Sequence, residues 1–358
     1  MSQRIIYMDV LSFLSCIAVV YLHCSTVVFV NQGDLLWFLS IIVQSLFCFA
    51  VPVFFMISGA NLIGYRVKYD TRTFLVRRVK RVAIPLVGFS LLYYLLACFA
   101  PGAFGLPPRE FDFIAFVGSL LTNSICDVYW FLYSIIALYL ITPLLSLAAK
   151  DKSLLRYLLC LSFISSAVIP LINRFAPIHT LLNLFVIPYL SGPIFYYLLG
   201  YYLERYVAIE KGARPIIAAA GMLVFAVMTI MTVKSNYPHT VASGSPSEFD
   251  NFYINIHNMF ATVYSCALFC LAKGAEPRLQ SMGLLQSNFF RALSSLPFYV
   301  YLIHMLIINT LDVYVPHSIV WDLGLRPPVV ILCSLIFSYI FATIKRKARQ
   351  VASMSAAA

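Results

Sequence analysis

The sequence predicts an all-α, polytopic integral membrane protein of about ten transmembrane helices, with both N- and C-termini cytoplasmic. Three observations predict it. Of the 358 residues, 61% are hydrophobic and only 11% charged, too few charges to keep a soluble chain of that length dissolved. Apolar runs of about 20 residues recur, the length that crosses the ~30 Å hydrocarbon core of a bilayer. Basic residues gather between alternate runs, so the net charge of +11 reads as membrane topology rather than a nucleic-acid surface.

In chain order, the expected spans lie near 6–30, 35–63, 82–100, 128–148, 154–172, 183–203, 214–234, 253–273, 294–315 and 327–345. Arg4 precedes the first run, but no small-residue cleavage site follows it, so an uncleaved first helix is expected. Pro52 and Gly59 in "FAVPVFFMISGANL" predict a kink in the second span. A cytoplasmic N-terminus puts Arg4, 64–81, 149–156, 204–214, 273–293 and the tail from Lys345 on the inner side. All but four of the 25 Lys and Arg residues then face inward; Arg109, Arg174, Lys234 and Arg326 are the exceptions. Residues 1–350 read as a single transmembrane domain and 351–358 as a loose tail. The nine cysteines fall mostly within apolar runs without a CxxC pair, which favours small buried hydrophobes over a metal site or a disulfide framework. No metal is expected. The outer stretch "SNYPHTVASGSPSEFDNFYINIHN" is the longest external connection, either an ordinary solvated loop or a surface that touches a sugar.

Ionisable groups deep in lipid are costly, so each is a functional candidate. His23 lies in the first span and His304 in the ninth; Asp9 marks the inner end of the first. At ~1.5 Å per residue, His23 stands roughly 20 Å above Asp9. A hydrogen-bonded contact between helices is the competing reading for either histidine. Arg77, Arg78, Lys80 and Arg81 cluster before the third span. Arg78 and Arg81 are three apart and share a helical face, where two guanidiniums suit a phosphate-rich ligand. A topology signal or a contact with anionic membrane lipids would use the same residues.

Together these stretches resemble membrane-bound acyltransferase family 3, in particular its surface-polysaccharide O-acetyltransferases. The resemblance rests on Asp9 and His23 in "MDVLSFLSCIAVVYLH" and on "VPVFFMISGANL" at 51–62. It continues through Arg78, Arg81 and Pro85, then "WFLY" at Trp130–Tyr133 with Pro143, "GPIFYYLLGYYLER" and "SSLPFYVYLIH". One position departs: family members usually carry a basic residue where this chain has Ser12. Either a cation from the 77–81 cluster replaces that charge, or the donor is handled differently.

The resemblance implies acyl transfer, with acetyl from cytoplasmic acetyl-CoA moving to a hydroxyl of a surface or lipid-linked glycan at the inner (plasma) membrane. It implies His23, Asp9 and His304 as the catalytic set. It implies Arg78, Arg81 and Arg77, with Trp130 and Tyr133 along the channel, as the donor site. His23 would act as general base or carry the acyl group. A transporter exporting a glycan or acylated product is the alternative; the scarcity of intramembrane carboxylates and of internal repeats weighs against it. A membrane sensor or scaffold would need neither the arginine pair nor the histidine.

Overall fold

Asp, Asn and Pro residues at the beginnings of apolar runs set most of the helix starts. The computed structural model describes residues 5–30, 33–176, 192–243, 249–283 and 296–355, and no strand occurs among them. The helices are α1 (Ile6–Cys24), α2 (Leu35–Phe47), α3 (Ala50–Leu62), α4 (Thr71–Phe99), α5 (Phe113–Leu121), α6 (Trp130–Ala148) and α7 (Lys152–Phe163). They continue with α8 (Ile169–Phe175), α9 (Pro193–Tyr206), α10 (Ala213–Ser243), α11 (Met259–Ser281), α12 (Pro297–Tyr314) and α13 (Arg326–Ser355). A π-helical segment, Ile164–Val168, joins α7 to α8. Among the described residues, nine helical segments are long and apolar enough to cross a membrane. They correspond to nine of the expected spans. The remaining one, 183–203, lies partly outside the described residues; its described part is the 14-residue α9.

Local chemistry explains most starts. Asp34, Asp112, Asp151 and Asn258 each accept a backbone N–H from the first turn of the helix that follows. Asp70 does the same for Thr73 at 3.0 Å. That cap starts α4 well before the apolar run, so Arg77, Arg78, Lys80 and Arg81 ride on a helix and not in the connecting loop. The second span breaks at Cys48 and Phe49, between α2 and α3. Pro52 accounts for this, because a proline ring excludes the carbonyl four residues earlier from helical geometry. Gly59 makes no kink; α3 runs through it. Gly59 serves instead to let α3 and α9 touch. A Cβ there would lie 1.8 Å from the Tyr197 carbonyl oxygen, and one on Gly200 would lie 2.0 Å from that of Met56. The two backbones meet at reciprocal glycines.

α1 sits at the hub, packed against α2, α3, α11, α12 and α13. Its own sequence supplies no N-cap. The Glu276 carboxylate of α11 does so, accepting the Ile6 N–H at 3.0 Å and the Tyr7 N–H at 2.7 Å. Three of the four basic residues that break the charge asymmetry have partners. Arg109 donates to the Ser119 hydroxyl and the Ser124 carbonyl, and Arg174 pairs with Asp250. Arg326, 2% exposed, pairs with Asp312 and Asp322. The last helix is described to Ser355, past the start of the expected tail.

Candidate active site

One face of α1 carries Asp9, Ser12, Cys16, Val20 and His23, spaced three or four apart as a helical stripe requires. α12 lies beside it and runs the same way. The Cys16 thiol donates to the Pro297 carbonyl at 3.8 Å. Seven residues on in each helix, about two turns, His23 meets His304. Their ring centroids are 5.2 Å apart, tilted by 45°. The structure thus brings together two histidines that are 281 positions apart in the chain (304 minus 23).

His304 is fully buried. Its Nδ1 lies 2.7 Å from the Tyr301 carbonyl oxygen, which can only accept, so Nδ1 donates. In the neutral ring this leaves Nε2 with its lone pair, and Nε2 is buried with no protein partner among the described residues. Two tyrosines brace this turn of α12. The Tyr129 hydroxyl donates to the Leu302 carbonyl at 2.7 Å, and the Tyr93 hydroxyl accepts the Leu306 N–H at 2.7 Å. Leu302 and Leu306 are the two backbone groups that face each other across one turn of helix, on either side of His304. The Tyr301 hydroxyl donates to the Val128 carbonyl.

Below the histidines, at the basic end of the bundle, lies a cavity of about 480 Å³. Asp9, Ser12, Asn61, Lys68, Arg78 and Arg81 supply its polar wall. A neighbouring recess of about 200 Å³ shares Arg78 and Arg81 and adds Arg77, whose guanidinium lies 5.0 Å from the Tyr69 ring centre. The large cavity ends at Phe54 and Tyr301. On the other side of those two rings is a void of about 10 Å³, bounded by Cys16, Val19, Val20, Val300 and His304. An arginine-lined cavity is therefore separated from a buried imidazole by little more than two aromatic side chains.

Two cavities lie at the far end. One, of about 490 Å³, is lined by Leu22, Gln44, Trp130, Asn251, Asn255 and His257 among others. The second, of about 570 Å³, is lined by Cys24, Asp312, His317, Asp322 and Arg326 among others. Leu22 and Cys24, the chain neighbours of His23 on α1, line one of these cavities each. Trp130, 38% exposed, belongs to the first of these cavities and not to the arginine-lined one. Tyr133 lines none of them; its hydroxyl donates to the Leu120 carbonyl. The stretch expected as one long external connection is helical up to Ser243, and Asn251, Asn255 and His257 from its second half enter the Trp130 cavity. Among the described residues, no three His, Cys, Asp or Glu side chains converge as metal ligands, and all nine cysteines are free thiols.

Sequence reasoning missed the brace of Tyr93 and Tyr129, the partition of Phe54 and Tyr301, and the meeting of Trp130 with the outer stretch raised as a sugar-touching surface. Tyr129 directly precedes the "WFLY" motif, and Phe54 lies within "VPVFFMISGANL". Those motifs were the available signal, but nothing local says which ring faces His304.

Fold and site define a multi-pass helical membrane protein with an imidazole pair embedded above a cation-lined cavity. The acyltransferase domain family model, that of acyltransferase family 3, matches residues 5–346, and the chain belongs to this family. It is a membrane acyltransferase. Neither curated proteins nor solved structures gave a match.

Proposed function

We propose that the protein moves an acetyl group from cytoplasmic acetyl-CoA to a hydroxyl of a surface or lipid-linked glycan, within the inner (plasma) membrane. The observation that carries this reading is the arginine-lined cavity sharing Phe54 and Tyr301 with the void lined by His304, whose ring meets His23. The basic end faces the cytoplasm by the sorting of positive charge, the compartment where acyl-CoA is made. Arg78 and Arg81 grip the CoA phosphates, because guanidiniums bind phosphate oxygens bidentately. Lys68 and Arg77 add charge at the same mouth. Ser12 lines this cavity with them, so these cations take the place of the basic residue the family usually has there. The thioester arm then passes Phe54 and Tyr301 toward the histidines.

His23 takes the proton of the acceptor hydroxyl as general base. The hydroxyl oxygen forms a C–O bond to the thioester carbon, the C–S bond breaks, and the proton goes to the CoA sulfur. His304, its tautomer held by the Tyr301 carbonyl, orients His23. Asp9, on the same face of α1 but about 20 Å below His23, lines the donor cavity and serves the donor end rather than the proton transfer. The acceptor enters from the far end. Trp130 offers an apolar ring face to a sugar, and Gln44, Asn251, Asn255 and His257 offer the polar rim that hydroxyls need.

The test is His23→Gln in membranes that carry the cell's own glycan, read as acetyl ester on that glycan by mass spectrometry. Gln keeps a hydrogen bond but is no base near neutral pH. Transfer should fall by about 10²–10⁴-fold, with the protein still inserted and still binding acetyl-CoA. A stable His23→Gln protein that acetylates normally would remove the catalytic assignment.

A further inference from the structure

We infer that the small void beneath His304 measures the acyl chain, so that Cys16, Val20, Phe54, Val300 and Tyr301 restrict the donor to a two-carbon acyl group. This rests on the donor reading above and names the substrate selectivity of the same site. The void holds about 10 Å³. That is enough to admit one water-sized group with little freedom, and a methyl group is of that size. An acyl carbon brought to the histidines from the arginine-lined side has crossed the Phe54–Tyr301 partition. Its alkyl remainder must then lie in this void. Acetyl leaves one methyl to be housed. Each further methylene needs as much space again.

The walls are built to resist widening. Val20 and Val300 are each 1% exposed and pack in one apolar cluster with Cys16, Cys24, Ile308 and Val330. Cys16 is tied to the Pro297 carbonyl and Tyr301 to the Val128 carbonyl, so two further walls are anchored by hydrogen bonds, while the Phe54 ring, held by ring packing on Phe131, is the side that yields to the incoming arm. Interiors packed this tightly feel a change of one methylene. The bond chemistry is unchanged by the gate: the thioester C–S bond breaks as the new C–O bond forms, whatever the chain.

Membranes bearing the cell's own glycan are incubated with radiolabelled acetyl-, propionyl- or butyryl-CoA, and labelled ester is counted on the glycan. One extra methylene in an apolar pocket is worth about 10–200-fold, so the wild type should favour acetyl over propionyl by at least the lower figure. Val20→Ala and Val300→Ala, which shorten one lining residue from each of the two helices, should each raise the butyryl-to-acetyl ratio about tenfold or more. Val20→Leu, which fills the void, should lower acetyl transfer while acetyl-CoA binding, read by ligand displacement, stays. That variant decides the matter if the alanine variants fail to fold. Wild-type protein that uses butyryl-CoA as readily as acetyl-CoA overturns the gate and leaves the donor reading intact. So does an unchanged ratio in folded alanine variants, or full acetyl transfer by Val20→Leu. No label from any acyl-CoA in the wild type would instead bring down the donor reading, and the gate with it.

Discussion

Substituting Gly59 by Ala should pry α3 away from α9. The added Cβ would sit 1.8 Å from the Tyr197 carbonyl oxygen, and real Cβ atoms essentially never come within 3.0 Å of another heavy atom. The backbones must therefore part by roughly 1.2 Å, the difference of those two distances. No flexible side chain can give way, because the obstacle is helical backbone. A gap of ~0.5–1 Å already forfeits a quarter to a half of each dispersion contact along the seam. Overpacking a core costs about 1–3 kcal/mol, and a backbone clash belongs at or above the upper end. The damage reaches the site as well. α3 carries Phe54, Ser58 and Asn61 into the arginine-lined cavity, and misplacing such groups by about 1 Å can cost on the order of 10²-fold in rate. Thermal stability by fluorescence-detected size exclusion, together with the rate of acyl transfer, reads both effects. Gly64→Ala is the control, since a Cβ there meets only the Tyr201 ring at 3.9 Å. A Gly59→Ala protein that melts with the control and transfers acyl groups at its rate would refute the close-approach argument.

Replacing Arg78 and Arg81 together by Ala should weaken acetyl-CoA binding by about 1.5–3 kcal/mol per lost charge-assisted contact, measured by ligand displacement on folded protein; unchanged affinity returns the cluster to a topology role. Arg326→Leu breaks the buried pair with Asp322, which keeps only His317 among the described residues, and removes the partner of Asp312, so it should destabilise by about 3–5 kcal/mol, as breaking a buried pair does; a melting temperature equal to wild type would count against it. The Thr73 hydrogen bonds hold the Asp70 carboxyl below the usual carboxylate range. A depressed carboxylate contributes its cap at neutral pH and loses it only as the pH falls through its folded pKa. Hydrogen exchange at the Thr73 amide, corrected for intrinsic rates, should thus accelerate only in strong acid for the wild type. In Asp70→Asn that acid transition should vanish, and its persistence would show another group to be responsible.

The sequence by itself determined what depends on short stretches. Span length is a sum over about 20 neighbouring residues. The caps at Asp34, Asp70, Asp112, Asp151 and Asn258 are equally local, but sequence reasoning missed them, and the start expected for α4 is eleven residues too late (82 against 71). The shared face of Arg78 and Arg81, and the climb from Asp9 to His23, follow from helical periodicity alone. Pro52 announced a break, and only its position had to be moved back by one turn. Membership of the acyltransferase family was legible for the same reason, since its motifs are short and come in order.

Only the tertiary structure decided which faces meet. Gly59 read as a kink because a lone glycine in a helix looks the same whether it bends the chain or admits a neighbour; Tyr197, far along the chain, settles it. The cap on α1 comes from Glu276, 270 residues away, and no local pattern could supply that. Trp130 and Tyr133 lie three apart, as residues on one face do, yet the first opens on the Trp130 cavity and the second turns to Leu120. Lipid-facing and protein-facing apolar residues are chemically alike, so hydrophobicity shows that a helix is in the membrane but not how it is rotated there. The meeting of His23 with His304, and the thin aromatic wall that divides them from the arginines, depend on that rotation.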